Sequence, residues 1–144
     1  LTAIPEGIFQ GLSALLSLNL NNNKKLTAIP EGIFKGLSAL QWLNLNYNKK
    51  LTAIPEGIFQ GLSALQRLYL HDNKLTTLPE GIFQGLSALQ ELYLGGNLLR
   101  VLPTQDLLQL KLPFSILLQN NQFDGPTKIH LRQIFKHLGE NFAI

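Results

Sequence analysis

The chain repeats itself with a nearly constant period. Five successive copies occupy residues 1–25, 26–50, 51–74, 75–98 and 99–122, and only the fifth has diverged strongly. One proline per copy keeps the spacing, which is 25 residues twice and then 24 twice: Pro5, Pro30, Pro55, Pro79 and Pro103. A segment this short cannot bury a core of its own, so copies with such a period stack into one solenoid and share a continuous core.

Within each copy the leucines follow the pattern L-x-x-L-x-L-x-x-N, as in Leu40, Leu43, Leu45 and Asn48. The central x-L-x-L-x stretch alternates, which places the leucines on one face of a strand and the x residues on the other. Successive strands would pair in parallel, and the asparagine at each strand end could satisfy backbone groups of the turn. In the fifth copy we assign the pattern to Leu112, Ser115, Leu117 and Asn120, with serine in place of a leucine.

This pattern, in five registered copies over residues 1–122, resembles the leucine-rich repeat family. The resemblance implies an α/β solenoid with a curved parallel sheet on the concave face and short turns or 3₁₀ segments on the convex face. Glycine pairs such as Gly7 and Gly11 are interpreted as turn residues. The phenylalanines of the return segments predict a spine on the convex side: Phe9, Phe34, Phe59 and Phe83, with Leu107 as the fifth member.

The tail differs from the repeats. Residues 124–126 predict a turn with a proline suited to a helix start, and apolar residues then follow at helical spacing at Leu131, Ile134, Phe135 and Leu138. We therefore divide the chain into the array, 1–122, and a C-terminal cap, 123–144, with a helix near 126–138. The front of the array has no equivalent cap, which predicts either further repeats upstream or an edge that pairs with another molecule.

The copies differ mainly at the x positions of the strand and just after it, whereas the return half is almost invariant. These variable positions would form four columns on the concave face. The columns are Ser17, Trp42, Arg67, Glu91, Phe114; Asn19, Asn44, Tyr69, Tyr93, Ile116; Asn21, Asn46, His71, Gly95, Leu118; and Asn22, Tyr47, Asp72, Gly96, Gln119.

The single tryptophan and all three tyrosines of the chain fall in these columns. Such side chains dominate interface energetics because they combine a large area with a polar tip. The predicted partner-binding residues are Trp42, Tyr47, Arg67, Tyr69, His71, Asp72, Glu91 and Tyr93. Aromatic residues also favour strands, so stacking of neighbouring tyrosines could serve the sheet alone. The two interpretations do not exclude each other.

Catalytic chemistry has little support in the sequence. His71 and Asp72, with Arg67 nearby, could form an acid–base pair, but no nucleophile, metal cluster or second histidine accompanies them. The chain has no cysteine, which excludes disulfides and thiolate zinc sites. We therefore predict a protein that is not an enzyme and that uses no cofactor and no metal.

Two charged columns accompany the repeat. Lysines after the turn asparagine form what we call the lysine ridge, Lys24, Lys25, Lys49, Lys50 and Lys74, and glutamates after the proline form a second column, Glu6, Glu31, Glu56 and Glu80. The ridge could attract an acidic partner or serve only solubility. A net charge of +3 is small for a nucleic-acid binder, and no apolar run is long enough to span a membrane.

The tail helix carries a basic face, with His130 and His137 beside Lys128, Arg132 and Lys136. A nucleic-acid or membrane contact is conceivable there, but a solvated cap face is the simpler interpretation.

The chain has neither cysteine clusters nor an N-x-Ser/Thr site, which separates it from the disulfide-capped arrays of animal cell surfaces. Its near-identical copies resemble arrays of bacterial secreted or host-directed effector proteins. We predict a non-enzymatic module that binds a protein on its concave face, secreted by a bacterium or delivered into a host cytosol. Two alternatives remain: the targeting region of a larger enzyme, and a module that self-associates through an N-terminal edge formed by Ile4, Phe9, Leu12, Leu15, Leu18 and Leu20.

Overall fold

The computed structural model describes residues 2–110, 115–136 and 144. Five three-residue strands, one per copy, form a single parallel sheet in sequential order: β1 Ser17–Asn19, β2 Trp42–Asn44, β3 Arg67–Tyr69, β4 Glu91–Tyr93 and β5 Ser115–Leu117. Equivalent residues of neighbouring copies pair, so that Trp42 lies beside Arg67, and Arg67 beside Glu91. The predicted solenoid with a parallel sheet is confirmed.

The alternation inside each strand separates the core from the outer face. The middle residues Leu43, Leu68 and Leu92 are fully buried, and the residues on either side point away from the core. The ladder continues past the strand, since the Leu45 N–H donates to the Tyr69 carbonyl at 2.8 Å. Each copy thus contributes an inner leucine row to one core and an outer row to the sheet face.

The turn asparagines satisfy backbone groups of the turn, as the sequence predicted, and they also link neighbouring copies. Asn48 is fully buried; its Oδ1 accepts from the Asn23 N–H at 2.9 Å, and its Nδ2 donates to the Leu20 and Leu45 carbonyls at 3.2 and 2.7 Å. The two Nδ2 donations recur at Asn73 and Asn97, while Asn97 Oδ1 accepts from the Leu75 N–H at 3.1 Å. Each amide therefore bonds backbone groups of two copies, and each of these carbonyls accepts from two successive asparagines, as the Leu45 carbonyl does from Asn48 and Asn73.

The fifth copy corrects the sequence assignment. β4 pairs Leu92 with Ile116, the buried residues are Ile116 and Leu118, and the ladder asparagine is Asn121, whose Nδ2 donates to the Leu94 and Leu118 carbonyls. The assignment to Ser115, Leu117 and Asn120 was wrong by one residue; Leu112 and Phe114 lie outside the described residues.

The doubled residues of this segment explain the error. Leu117-Leu118 and Asn120-Asn121 satisfy the motif in either register, and only one register buries isoleucine instead of serine. The columns that were predicted to end in Phe114, Ile116, Leu118 and Gln119 end instead in Ser115, Leu117, Gln119 and Asn120.

The return segments are turns that carry the predicted phenylalanine spine. Phe34 stacks on Phe59 with ring centroids 6.5 Å apart, and Phe9 stacks on Phe34 at the same spacing. Leu107 takes the fifth position and is buried. The paired glycines lie in the left-handed region, as at Gly36 with φ of 85°, where a side chain would be strained although nothing lies within 4 Å to obstruct it.

The fifth return segment contains a short helix that the sequence did not predict, α1 (Thr104–Leu108). Its Asp106 is buried and accepts hydrogen bonds from the backbone N–H groups of Gly81 and Phe83 at 3.1 and 3.0 Å. The carboxylate thereby satisfies two donors in the turn of the preceding copy.

The C-terminal helix α2 (Gly125–Ile134) packs on α1 and buries Leu131, and Phe135 just beyond its end is also buried. Asp124 is the N-cap, and its side chain accepts from the Thr127 N–H at 2.8 Å. Hydrogen bonding to the Thr127 side chain, and then to this backbone N–H, lowers the pKa of the Asp124 carboxyl. The predicted helix over 126–138 begins one residue earlier and ends at Ile134, while His137 and Leu138 lie outside the described residues. The division at residue 122 stays a prediction.

Candidate functional site

The outer face of the sheet brings five rings together, which we call the aromatic patch: Trp42, Tyr47, Tyr69, His71 and Tyr93. Tyr69 and Tyr93 occupy the same column in β3 and β4 and stack with centroids 4.6 Å apart. Trp42 meets Tyr69 edge to face at 6.1 Å. Both arrangements are geometries that aromatic rings prefer, so the rings hold one another in place.

His71 joins the two sides of the patch. Its ring lies 5.4 Å from that of Tyr47, 6.2 Å from Tyr69 and 6.1 Å from Tyr93. The patch is therefore contiguous from β2 to β4. Tyr47 is the most exposed of its tyrosines, with 44% of its surface accessible.

Burial lowers the pKa of the His71 imidazole, the neighbouring Asp72 partly opposes this, and Lys49 reinforces it. His71 is consequently neutral near pH 7. Its Nδ1 is buried and has no hydrogen-bond partner among the described residues, and its Nε2 lies 3.9 Å from Asp72 Oδ2, beyond hydrogen-bond reach. His71 and Asp72 are therefore not joined by a hydrogen bond, as the acid–base pair that the sequence allowed would require. Their geometry is that of a packed imidazole ring beside a carboxylate.

Glu91 anchors the other end of the patch. Its carboxylate accepts a hydrogen bond from the Tyr69 hydroxyl at 2.5 Å and lies 3.6 Å from Arg67 Nε. Burial, reinforced by Glu91, raises the pKa of Tyr69 to about 12, so the phenol stays a protonated donor. These contacts fix the orientation of the Tyr69 ring relative to β4.

Two asparagines that were absent from the predicted site position the histidine. Asn46 Oδ1 accepts from the His71 N–H at 3.0 Å, and Asn44 Oδ1 accepts from the Asn46 N–H at 3.0 Å. Both asparagines are buried although they occupy outer columns. Their repetition within the variable columns was the only sequence signal for this role.

The fourth column has an unusual backbone. Its members lie in the left-handed region, with φ of 56° at Asn22, 58° at Tyr47 and Asp72, 68° at Gly96 and 61° at Asn120. Asparagine, aspartate and glycine tolerate this conformation, whereas a bulky side chain such as that of Tyr47 is strained in it. Residues in such conformations cluster at functional sites.

The structure also connects the lysine ridge with the patch. Lys49 Nζ lies 5.4 Å above the Tyr47 ring and 4.0 Å from Asp72 Oδ1. All eight predicted binding residues thus lie in one connected surface. Arg67 joins it through its ion pair with Glu91, and Asp72 joins it through its ion pair with Lys49.

The described residues contain neither a candidate metal site nor a candidate membrane-spanning helix. In the described ranges no group of three or more histidine, cysteine or acidic residues could hold a metal ion. No helix in this part of the chain has the length and apolarity to cross a bilayer.

The comparison with protein families agrees with this architecture. The family described as leucine rich repeat matches four overlapping segments, 1–49, 18–75, 40–99 and 65–123. The chain belongs to the leucine-rich repeat family. Repeats of this family are typically non-enzymatic modules that mediate protein–protein interaction. No individual curated protein matches the chain, so the family model alone carries this assignment.

Within this leucine-rich repeat protein, the Glu column occupies a different surface from the patch. Shallow grooves between neighbouring return turns are lined by Glu31, Glu56 and Glu80 together with the turn glycines. They contain none of the predicted binding residues. The aromatic patch therefore remains the candidate site, and its role in binding is a proposal.

Proposed function

We propose that this leucine-rich repeat protein binds a protein partner through the outer face of its sheet, with the aromatic patch at the centre of the contact. The observation that carries the proposal is the contiguous cluster of five rings on a face directed away from the core. Tryptophan and tyrosine are the residues most enriched at energetically dominant interface positions.

The repeat itself supports a role beyond sheet stability. The first copy has Ser17, Asn19 and Asn22 where later copies carry patch residues, and β1 nevertheless pairs with β2 in the same register. The scaffold therefore forms with small polar side chains at these positions. Rings that the sheet does not require are better explained by an external contact.

The patch is also rigid enough to bind without a large loss of entropy. Its residues lie on paired strands or directly after them. The hydrogen bonds that the His71 backbone N–H donates to Asn46 and the Tyr69 hydroxyl donates to Glu91 limit their movement. Preorganised side chains lose less freedom on association, which favours affinity.

A displayed library of random peptides provides the test, because selection from such a library does not require a known partner. Peptides selected on the full chain are then titrated against Trp42→Ala/Tyr69→Ala. We expect these substitutions to weaken binding by about 30-fold or more, as truncation of two central aromatic residues does.

The matched control is Val101→Ala/Ile129→Ala, which shortens two exposed apolar side chains outside the patch. Circular dichroism must show that both double variants stay folded. Peptides that bind the aromatic variant as tightly as the wild type would contradict the proposal.

Finer expectations from the sequence stay predictions. They are the role of a bacterial secreted or host-directed effector, the targeting region of a larger enzyme, and self-association through the N-terminal edge. At that edge Phe9, Leu15 and Leu18 are half-buried and Leu12 is exposed, whereas Ile4 and Leu20 are buried. Light scattering at increasing concentration distinguishes self-association from a monomer.

A further inference from the structure

The lysine ridge follows the first three strands, directly after the ladder asparagines, and all five of its side chains are exposed. Equivalent residues of neighbouring copies lie about one strand spacing, roughly 4.8 Å, apart. This is less than the screening length of about 8 Å at physiological ionic strength. A partner therefore meets the ridge as one extended positive field.

The ridge and the aromatic patch form one continuous surface. Lys49 supplies the connection, since its Nζ contacts both the Tyr47 ring and Asp72, at 5.4 and 4.0 Å. Any partner large enough to cover the patch is therefore brought against the ridge.

The acidic residues of this surface are too few to neutralise its basic residues. The ridge and the patch carry six basic side chains, the five lysines and Arg67, against two carboxylates, Asp72 and Glu91. Both carboxylates already have a cationic neighbour, Lys49 for Asp72 and Arg67 for Glu91. The rest of the chain has six basic and seven acidic residues, so an excess of four positive charges is concentrated here.

The opposite charge lies on another surface. Glu31, Glu56 and Glu80 line the grooves of the return segments, and Lys35 lies beside the first two of them. Among the described residues no ion pair joins a ridge lysine to one of these glutamates. The separation gives the molecule a basic strand side and an acidic return side, which orients an approaching partner.

We propose that the partner bound at the aromatic patch presents an acidic polypeptide segment, whose carboxylates face the lysine ridge while an apolar or aromatic side chain packs on Trp42 and Tyr69. This inference rests on the proposed function. A cationic segment would meet repulsion along the ridge. A nucleic-acid backbone would meet Asp72 and Glu91 inside the face, and four excess charges are fewer than the about six to ten phosphate contacts of a strongly salt-dependent binder.

The test uses the full chain and the random peptide library, with two charge-reversed variants of equal charge change. Lys50→Glu/Lys74→Glu alters the ridge. Lys35→Glu/Lys136→Glu is the matched control, because both of its lysines are exposed and lie away from the patch. The aromatic double variant, a duplex of about 20 base pairs and vesicles with about one-third anionic lipid complete the set.

We expect the selected peptides to be enriched in aspartate and glutamate. Their affinity should fall about tenfold or more on the ridge variant, change less than about threefold on the control, and depend more strongly on the ridge at low salt. Neutral or basic peptides that are lost on the aromatic variant but not on the ridge variant would overturn the acidic partner and leave the proposed function intact.

Two other results would also overturn the inference. Peptides that bind the aromatic variant and the wild type with equal affinity would contradict both the proposed function and the acidic partner. Tighter binding of the duplex or the vesicles than of the peptides, lost on the ridge variant, would assign the ridge to a nucleic acid or a membrane.

Discussion

The phenol rings of Tyr69 and Tyr93 stack face to face between β3 and β4, with centroids 4.6 Å apart and planes 2° from parallel. Their separation matches the spacing of paired strands, about 4.8 Å, because the two residues are register partners in a parallel sheet. The repeat thus converts two tyrosines 24 residues apart in sequence into one stack. Trp42 and His71 extend that stack into the patch.

Replacement of Tyr69 by phenylalanine should remove a phenol that ionises above the usual pH range of tyrosine. The pKa of Tyr69 is raised to about 12, chiefly by burial and then by Glu91, so its ionisation lies above the usual value of about 10. A near-ultraviolet titration of the wild type should show a late phase that is missing in Tyr69→Phe. Tyr93→Phe is the control and should keep this phase.

The same shift has a consequence for stability. The stabilisation of the folded state that accompanies the raised pKa of Tyr69 is fully present below the unfolded-state pKa near 10. It is lost as the pH rises through about 12, because the unfolded chain releases the proton first.

In the titration itself, loss of the late phase in Tyr93→Phe and not in Tyr69→Phe would contradict the assignment of that phase to Tyr69.

Tyr47→Asn should stabilise the fold while weakening partner binding. Tyr47 occupies a left-handed backbone, and asparagine, which the first copy has at Asn22, tolerates this conformation better. Loss of an exposed edge-to-face ring contact removes only about 0.5 kcal/mol, so we expect a net gain of about 0.5–1 kcal/mol in urea unfolding.

The reciprocal variant Asn22→Tyr places the bulky ring in the same backbone conformation at the first copy. It should lose a comparable amount of stability. A strong destabilisation by Tyr47→Asn would show that this ring has a structural role instead.

Stability should fall on acidification because of His71. Its folded-state pKa lies below the ordinary value near 6.5, so the unfolded chain binds the proton first as the pH decreases. The stabilising contribution is therefore present above about pH 6.5 and is lost as the pH falls through the folded-state pKa. The groups that face the imidazole are Asp72, Lys49 and the three tyrosine rings.

The measurement is the melting temperature between about pH 8 and pH 5. His71→Asn, which restores the residue of the first two copies at this column, should flatten the profile in that range. His130→Gln, on the exposed face of α2, is the matched histidine replacement outside the patch, and equal flattening by both variants would refute the assignment to His71. Asp124, with its lowered pKa, acts in a separate window, where its contribution is lost below about pH 4.

Asn48→Ala should destabilise the fold far more than Asn23→Ala. Asn48 is fully buried and makes three hydrogen bonds, to the Leu20 and Leu45 carbonyls and from the Asn23 N–H. The substitution removes all three bonds, although each carbonyl keeps one other asparagine, Asn23 or Asn73. We expect a loss of about 2–4 kcal/mol at Asn48. Asn23 is half-buried and donates to one carbonyl, so about 1 kcal/mol is expected there. Equal losses in urea unfolding would show that the ladder is not the source of the stability.

Much of the candidate site could be read from the variation between copies. The prediction placed Trp42, Tyr69 and Tyr93 on the outer face, since residues that alternate with buried leucines must point away from the core. It did not find Asn44 and Asn46, because their hydrogen bonds depend on the positions of backbone groups in neighbouring copies. It treated Lys49 as part of a separate column, whereas the structure places its Nζ 5.4 Å from the centroid of the Tyr47 ring.

The sequence by itself determined the solenoid, the parallel sheet, the phenylalanine spine and the asparagine ladder, because a period of 24–25 residues imposes the same local chemistry on every copy. The tertiary structure decided the register of the fifth copy, where doubled leucines and asparagines satisfied two patterns and the burial of Ile116 selected one. It also decided the role of Asp106 and the closure of the ring cluster around His71. Those features depend on contacts between copies, and a repeat pattern states what recurs in each copy but not where diverged side chains meet.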